Sequence, residues 1–286
     1  TTTTPTTTTA TTATDADASL QLLAANAEGL LLSWSTPALP SSVLLRPLPG
    51  DDMEQDVDLP PLGPCAVVAG MAGGADVVEG LKWQVLEMSA GGAGGIFDAV
   101  LVEPTEVSNP GLILFIHGGP HAVSTTAFTH FVPFLVRAAD CAVLLVNYRG
   151  SVGFGQKQLE SLPGKVGSQD VQDCMAAVRS VLKRGSFDSE RVAVVGGSHG
   201  GFLSAHLIGQ FPDVFKAAAM RNPVTNLATM SSATDIPDWT LVEGLGLGTY
   251  SFSAPTPPSG EGLATMWSRS PVAHLAKVKT PTLIAI

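Results

Sequence analysis

Three short runs of uninterrupted apolar residues, Leu112–Ile116, Ala142–Val146 and Val192–Val195, each end in a turn-forming sequence. A strand with one face in water alternates apolar and polar residues. A strand without alternation must be covered on both faces, an arrangement typical of parallel sheets built with helical crossovers. Residues 128–139 and the segment around 170–182 are long enough to be those crossovers. In the second, Val171, Cys174, Met175, Val178, Val181 and Leu182 fall on one helix face, with Ser168 or Asp170 available as a cap and Lys183-Arg184-Gly185 as a stop. Residues 202–210 read as a further helix, and Ala217–Met220 and Thr282–Ile286 as two more strands. The pattern is α/β, a mostly parallel sheet with helices on both faces.

The third run leads directly into Gly196-Gly197-Ser198-His199-Gly200, a G-x-S-x-G sequence. At this chain's Gly and Ser frequencies that pattern arises by chance in roughly one chain in four. Its setting is more specific than the pattern. A strand enters and a helix leaves, as a nucleophile elbow requires, and the small residues at 196, 197, 200 and 201 permit the sharp turn that presents a serine above the sheet. A Gly-rich connecting loop is the plain alternative.

A serine that attacks a carbonyl needs donors for the oxyanion. The backbone N–H of His199 is one, supplied by the elbow itself. The second is expected from the loop after the first apolar run, His117-Gly118-Gly119-Pro120, with Gly119 favoured because glycine allows close approach of the backbone. His117 is expected to brace this loop rather than act as a base. In folds built on such an elbow the order along the chain is Ser, then Asp or Glu, then His. His117, His121 and His130 precede the serine, His206 lies on the elbow helix, and His274 precedes the last strand. No residue can therefore be named as the base or its orienting acid. Both are expected beyond Ile286.

Other signals bound the rest of the chain. Residues 1–15 are a Thr-rich tract without large apolar groups and are expected to be disordered. Between residues 16 and 90, strand-sized stretches at Leu20–Leu23, Leu30–Trp34, Val43–Leu45, Val67-Val68 and Trp83–Leu86 suggest a small antiparallel unit. The chain opens on Thr1 and closes on an apolar run ending at Ile286, so both ends are expected to be cuts. With 25 Asp+Glu against 15 Lys+Arg and a net charge of −10, a nucleic-acid partner is not expected. Cys65, Cys141 and Cys174 are odd in number and widely spaced, which fits reduced thiols in a cytosolic protein. No apolar run is long enough to span a bilayer, and no secretory signal is visible.

His117-Gly118-Gly119-Pro120-His121, the segment from Leu144 to Gly150, the segment from Gly196 to Phe202, Arg221-Asn222-Pro223 and the segment from Thr234 to Trp239 resemble the acylaminoacyl-peptidase (acylpeptide hydrolase) branch of the prolyl oligopeptidase family of serine peptidases. The likeness is dense from 111 to 286 and weaker from 16 to 107. It implies an α/β-hydrolase domain over 91–286, truncated at its C-terminal end, preceded by a β-propeller remnant and linker over 16–90. It also implies a cytoplasmic, often homo-oligomeric peptidase that needs no metal or cofactor and releases the N-acylated first residue of a blocked peptide. Family correspondence places the nucleophile at Ser198 and the oxyanion donors at the His199 and Gly119 amides. Because the triad Asp and His are not in the chain, the 286 residues alone are expected to have little or no activity. A carboxylesterase or a dipeptidyl or prolyl peptidase of the same superfamily, and a non-catalytic hydrolase scaffold, are the competing readings. Arg149 is a candidate substrate anchor, with a structural ion pair as the alternative. Trp239 and Phe154 are candidate pocket walls, with packing as the alternative. Asp235, Asp238 and Glu243 read as a solvated loop bordering the cleft.

Overall fold

The computed structural model describes residues 18–25, 29–47, 66–69, 80–89 and 95–286. The Thr-rich tract 1–15, Cys65 and the stretch 91–94 lie outside the described residues. The chain forms two units, 1–79 with 126–130, and 80–125 with 131–286.

The first unit is a four-stranded antiparallel sheet in the order β1 (Ser19–Ala25), β2 (Gly29–Thr36), β3 (Leu39–Pro47) and β4 (Ala66–Ala69). Each strand pairs with the one before it, the arrangement expected when strand-sized runs are separated by turns. Residues 126–130 join this unit through the Phe128 N–H, which donates to Ser35 Oγ at 3.1 Å.

The second unit is built on β5 (Leu81–Ser89), β6 (Ile96–Pro104), β7 (Gly111–Ile116), β8 (Cys141–Asn147), β9 (Val192–Gly197), β10 (Ala217–Arg221) and β11 (Thr282–Ala285). Their spatial order is β11-β10-β9-β7-β8-β6-β5. The first five in that order run parallel, while β6 lies antiparallel to both β8 and β5. Leu81–Ser89 was expected to belong with the preceding β segment. It instead pairs along its whole length with Ile96–Pro104, so the sheet begins ten residues before 91.

The unalternating runs are explained by two cores, one on each face. Leu112, Leu114 and Ile116 of β7 and Ala142, Leu144 and Val146 of β8 face a core completed by Val171, Cys174 and Val178 of one helix and Phe202 and Leu207 of another. Ile113, Cys141, Val143 and Leu145 face the opposite core, with Val132 and Val136. Complete burial of each such side chain is worth about 1.5–3 kcal/mol, which is why neither face of these strands tolerates a polar residue.

The helices are α1 (Phe131–Ala139), α2 (Gln156–Leu159), α3 (Gln169–Leu182), α4 (His199–Gln210), α5 (Leu227–Met230), α6 (Pro237–Leu245) and α7 (Gly260–Ser268), followed by a 3-10 turn at Pro271–Lys277. α1 starts at Phe131 rather than 128, and α4 starts at His199 rather than 202. Cys141 and Cys174 are buried free thiols, and burial pushes the Cys174 thiol well above its usual pKa. Among the described residues no helix is long and apolar enough to cross a membrane.

Candidate active site

Strands β7 and β9 are neighbours, and their register sets Ile116 opposite Gly196. The chain segments that follow each strand therefore emerge side by side at one edge of the sheet. One is His117–Gly119 and the other is Gly197–His199. A Cβ placed on Gly118 would lie 3.4 Å from Ser198 Cβ and 4.0 Å from Ser198 Oγ, so the loop backbone lies directly against the serine.

The elbow is sharp. Ser198 has φ 55° and ψ −120°, a conformation that costs a non-glycine residue about 1–3 kcal/mol and persists only when its surroundings enforce it. The surroundings are backbone on both sides. Ser198 N–H donates to Arg221 O at 2.9 Å, and Ser198 O accepts from Phe202 N at 3.0 Å. A Cβ on Gly200 would stand 2.1 Å from Ile116 O, and one on Gly196 would stand 2.3 Å from Gly200 O. Only residues without a side chain let α4 begin this close to β7. The first-turn amides of α4, including that of His199, have no carbonyl partner within the helix, which leaves them available to a negative charge.

Every histidine of the second unit except His274 is held by a hydrogen bond. His117 Nδ1 donates to Gly118 O at 2.7 Å, so in the neutral ring Nε2 accepts from Ser151 Oγ at 2.9 Å. Its ring stacks on Tyr148, and burial pushes its pKa down to about 4, so it braces the loop in the neutral form. His206 donates from Nε2 to Arg269 O and accepts at Nδ1 from Gln210. Burial lowers its pKa to about 4 as well. His274 packs against the His206 ring. Among the described residues nothing is hydrogen-bonded to Ser198 Oγ, and no three His, Cys, Asp or Glu side chains converge as metal ligands.

The side chain of His199 points away from the site. Its Nε2 donates to Asp170 Oδ2 at 3.0 Å, with both groups fully buried, and its Nδ1 has no partner among the described residues. Asp170 is thus not the cap of α3. Ser168 occupies the cap position without a side-chain hydrogen bond, and Asp170 sits in the first turn, committed to the elbow. One turn on, Asp173 receives Arg149 Nε and Nη2 on its two oxygens at 2.6–3.1 Å. Of the two roles weighed for Arg149, the ion pair is the one its geometry displays.

Trp239 lies on α6, with its indole N–H donating to Gly119 O at 2.9 Å and its ring edge-on to His199 at 5.9 Å. Phe154 is half-buried. Asp235 is exposed, but Glu243 is not in a solvated loop. It is on α6, 3% exposed, with Oε1 3.0 Å from His121 Nε2. Asp170 and Glu243 are the residues that sequence reasoning missed. Asp170 left one trace, since it falls with Asp173 on the apolar stripe of α3, where an acid needs a buried partner. A cavity of about 830 Å³, lined by residues including Asn226, Pro237, Leu241, Tyr250 and Trp267, is lined by neither Ser198 nor Gly119.

The profile of the prolyl oligopeptidase family matches residues 126–286. The chain belongs to this family. Its relatives in the prolyl oligopeptidase family include the acylamino-acid-releasing enzyme of Arabidopsis thaliana, 46% identical over 216 residues, covering 74% of this chain and 27% of the relative. The acylamino-acid-releasing enzyme of Sus scrofa is 40% identical over 271 residues, covering 94% of this chain and 36% of the relative. The chain thus spans about a third of the length of these relatives. Among solved structures, the orthorhombic form of Pyrococcus horikoshii acylaminoacyl peptidase superposes with a TM-score of 0.72 at 21% identity, over 92% of this chain and 39% of that one. The second unit therefore has the α/β-hydrolase fold of the prolyl oligopeptidase family.

Proposed function

We propose that the protein carrying this chain is a serine peptidase that releases the N-acylated first residue of blocked peptides. Ser198 is its nucleophile, and the backbone N–H groups of His199 and Gly119 are its oxyanion donors. The observation that carries this reading is a serine held at φ 55° against the Gly118 backbone, in a chain 40–46% identical to acylamino-acid-releasing enzymes. Ser198 Oγ would attack the carbonyl carbon of the acylated residue, and its proton would pass to a histidine base. The C–N bond then breaks, the rest of the peptide leaves as an amine, and water hydrolyses the acyl-enzyme. The base and its acid are assigned to no residue of this chain, so the 286 residues alone are expected to show little or no turnover. Trp239, beside Gly119 and His199, is proposed as one wall of the subsite for the acylated residue. The domain assignment, 16–79 as the end of a propeller and 80–286 as hydrolase, the cytoplasmic location and a homo-oligomeric state belong to the same proposal.

The test uses the full-length protein and compares acetyl-alanyl, free alanyl and short-chain ester substrates. Preferential cleavage of the acetyl-alanyl substrate, reduced by about a million-fold or to background in Ser198→Ala, is the expected result. A preference for free amines or for esters replaces the reading with a dipeptidyl or prolyl peptidase or a carboxylesterase. Failure of Ser198 to react with a fluorophosphonate indicates a non-catalytic scaffold.

A further inference from the structure

Glu243 is a nearly buried carboxylate in a chain with few charges, and acyl transfer at Ser198 gives it no chemical task. A buried carboxylate costs several kcal/mol in lost hydration unless a partner offsets it. Its partner is His121, two residues beyond Gly119 in the candidate oxyanion loop. His121 Nδ1 lies 2.7 Å from Gly150 O, and a carbonyl oxygen can only accept, so Nδ1 is a donor. Nε2 lies 3.0 Å from Glu243 Oε1, also an acceptor, so the ring donates from both nitrogens when it is an imidazolium. The hydrogen bond that His121 donates to Glu243 accordingly raises the His121 pKa.

Four residues earlier on α6, on the same helix face, the Trp239 indole donates to Gly119 O. The helix thus grips the loop at two points, on either side of Pro120. The helix is itself fixed. Gly164 N donates to Glu243 O at 3.0 Å, and Arg269 Nη1 donates to Gly244 O at 2.6 Å. The far end of the loop is fixed too, with Ala122 O accepting from Val152 N at 3.1 Å.

We propose that Glu243 is a positioning residue which, through His121 and together with Trp239, holds the loop so that the Gly119 N–H meets the oxyanion formed at Ser198. This rests on the reading of Gly119 as an oxyanion donor. An oxyanion donor helps only if it is held about 2.7–3.1 Å from where the charge develops, and a misplacement of about 1 Å costs on the order of a hundredfold in rate. A loop containing two consecutive glycines does not hold that position unaided; His117 braces it before the glycines, and α6 supplies the constraint after them.

The test compares wild type, Glu243→Ala, Glu243→Gln and Trp239→Phe in the full-length protein. It measures kcat and KM on a short-chain p-nitrophenyl ester and affinity for a boronic acid that forms a tetrahedral adduct at Ser198. Glu243→Ala is expected to lower kcat by about tenfold to a hundredfold with KM nearly unchanged, and to weaken the boronate by the same factor. Glu243→Gln, which keeps an acceptor for His121, should recover most of the loss. Trp239→Phe, which removes the indole donor and leaves a smaller ring in its place, should show the same signature at about threefold to tenfold. A folded Glu243→Ala with kcat and boronate affinity within about twofold of wild type overturns the proposal. So does a Glu243→Gln variant no better than Glu243→Ala. If Glu243→Ala does not fold, Trp239→Phe decides alone, and unchanged boronate affinity there is fatal. A wild-type enzyme that cleaves the ester but not acetyl-alanyl peptides refutes the proposed substrate and leaves this test standing. One that forms no boronate adduct sinks both.

Discussion

At the end of β9 the chain is positioned by missing side chains, because α4 starts so close to β7 that a methyl group on Gly200 would overlap the Ile116 carbonyl. One strand away, at the end of β7, the loop is positioned by polar partners: Ser151 for His117, Glu243 for His121 and Trp239 for Gly119. The elbow is a steric fit with no tolerance for added volume, backed by the buried His199–Asp170 pair. The loop is a set of tethers, each removable singly and some sensitive to protonation. The proposed nucleophile and the proposed oxyanion donor are thus positioned by different physics within a few ångströms of each other.

The largest expected effect is on the steric side. Gly200→Ala should cost at least about 3 kcal/mol or prevent folding, because the obstructing atoms are backbone and cannot rotate away. Urea denaturation measures this, and a variant as stable as wild type would remove steric fit as the basis of the elbow.

The buried pair that joins the elbow to α3 comes next. Asp170→Ala leaves the buried His199 ring without its acceptor and should cost about 3–5 kcal/mol. Combining Asp170→Leu with His199→Phe should recover much of that loss, and a double-mutant cycle would show the coupling. Additive losses would mean that the pair is not a unit.

The loop side should respond to pH in two directions. His117 in the loop, and His206 on α4, have folded pKa values near 4, below the unfolded value of about 6.5. The unfolded state therefore binds more protons between those values. Their contribution is complete above about pH 6.5 and is lost as pH falls toward 4, by at most about 3 kcal/mol each. His121 has the opposite sign. Its raised pKa makes its contribution complete in acid and lost as pH rises through the folded value. Denaturation across pH should show the acid-side loss flattened by His117→Gln. An unchanged acid limb in that variant would contradict the neutral buried ring.

As the smallest effect, breaking the exposed Lys279–Asp213 pair, remote from both arrangements, should change stability by less than about 0.5 kcal/mol. A larger change would show that surface charge contributes more here than the buried tethers allow.

The steric side was legible in the sequence and the polar side was not, for a physical reason. Apolar runs report burial on both faces locally, and the glycines around Ser198 report a tight turn within five residues. The tethers join residues far apart: His121 and Glu243 are separated by 122 positions, His199 and Asp170 by 29. No local pattern marks such a pair, so Glu243 read as a solvated acid and Asp170 as one of two possible helix caps. Trp83–Leu86 misled for a related reason, since a short amphipathic strand is equally compatible with either sheet. Its partner, Ile96–Pro104, decides the matter.

The left-handed backbone at Ser198 carries an evolutionary consequence. A glycine there would relieve the strain, so the position proposed for the nucleophile is also one where selection for stability alone would choose a different residue. On the proposed reading, serine persists at such a position only while hydrolysis is under selection. In any lineage that abandoned the reaction, residue 198 should be among the first to drift, and its identity then becomes a record of whether the descendant is still an enzyme.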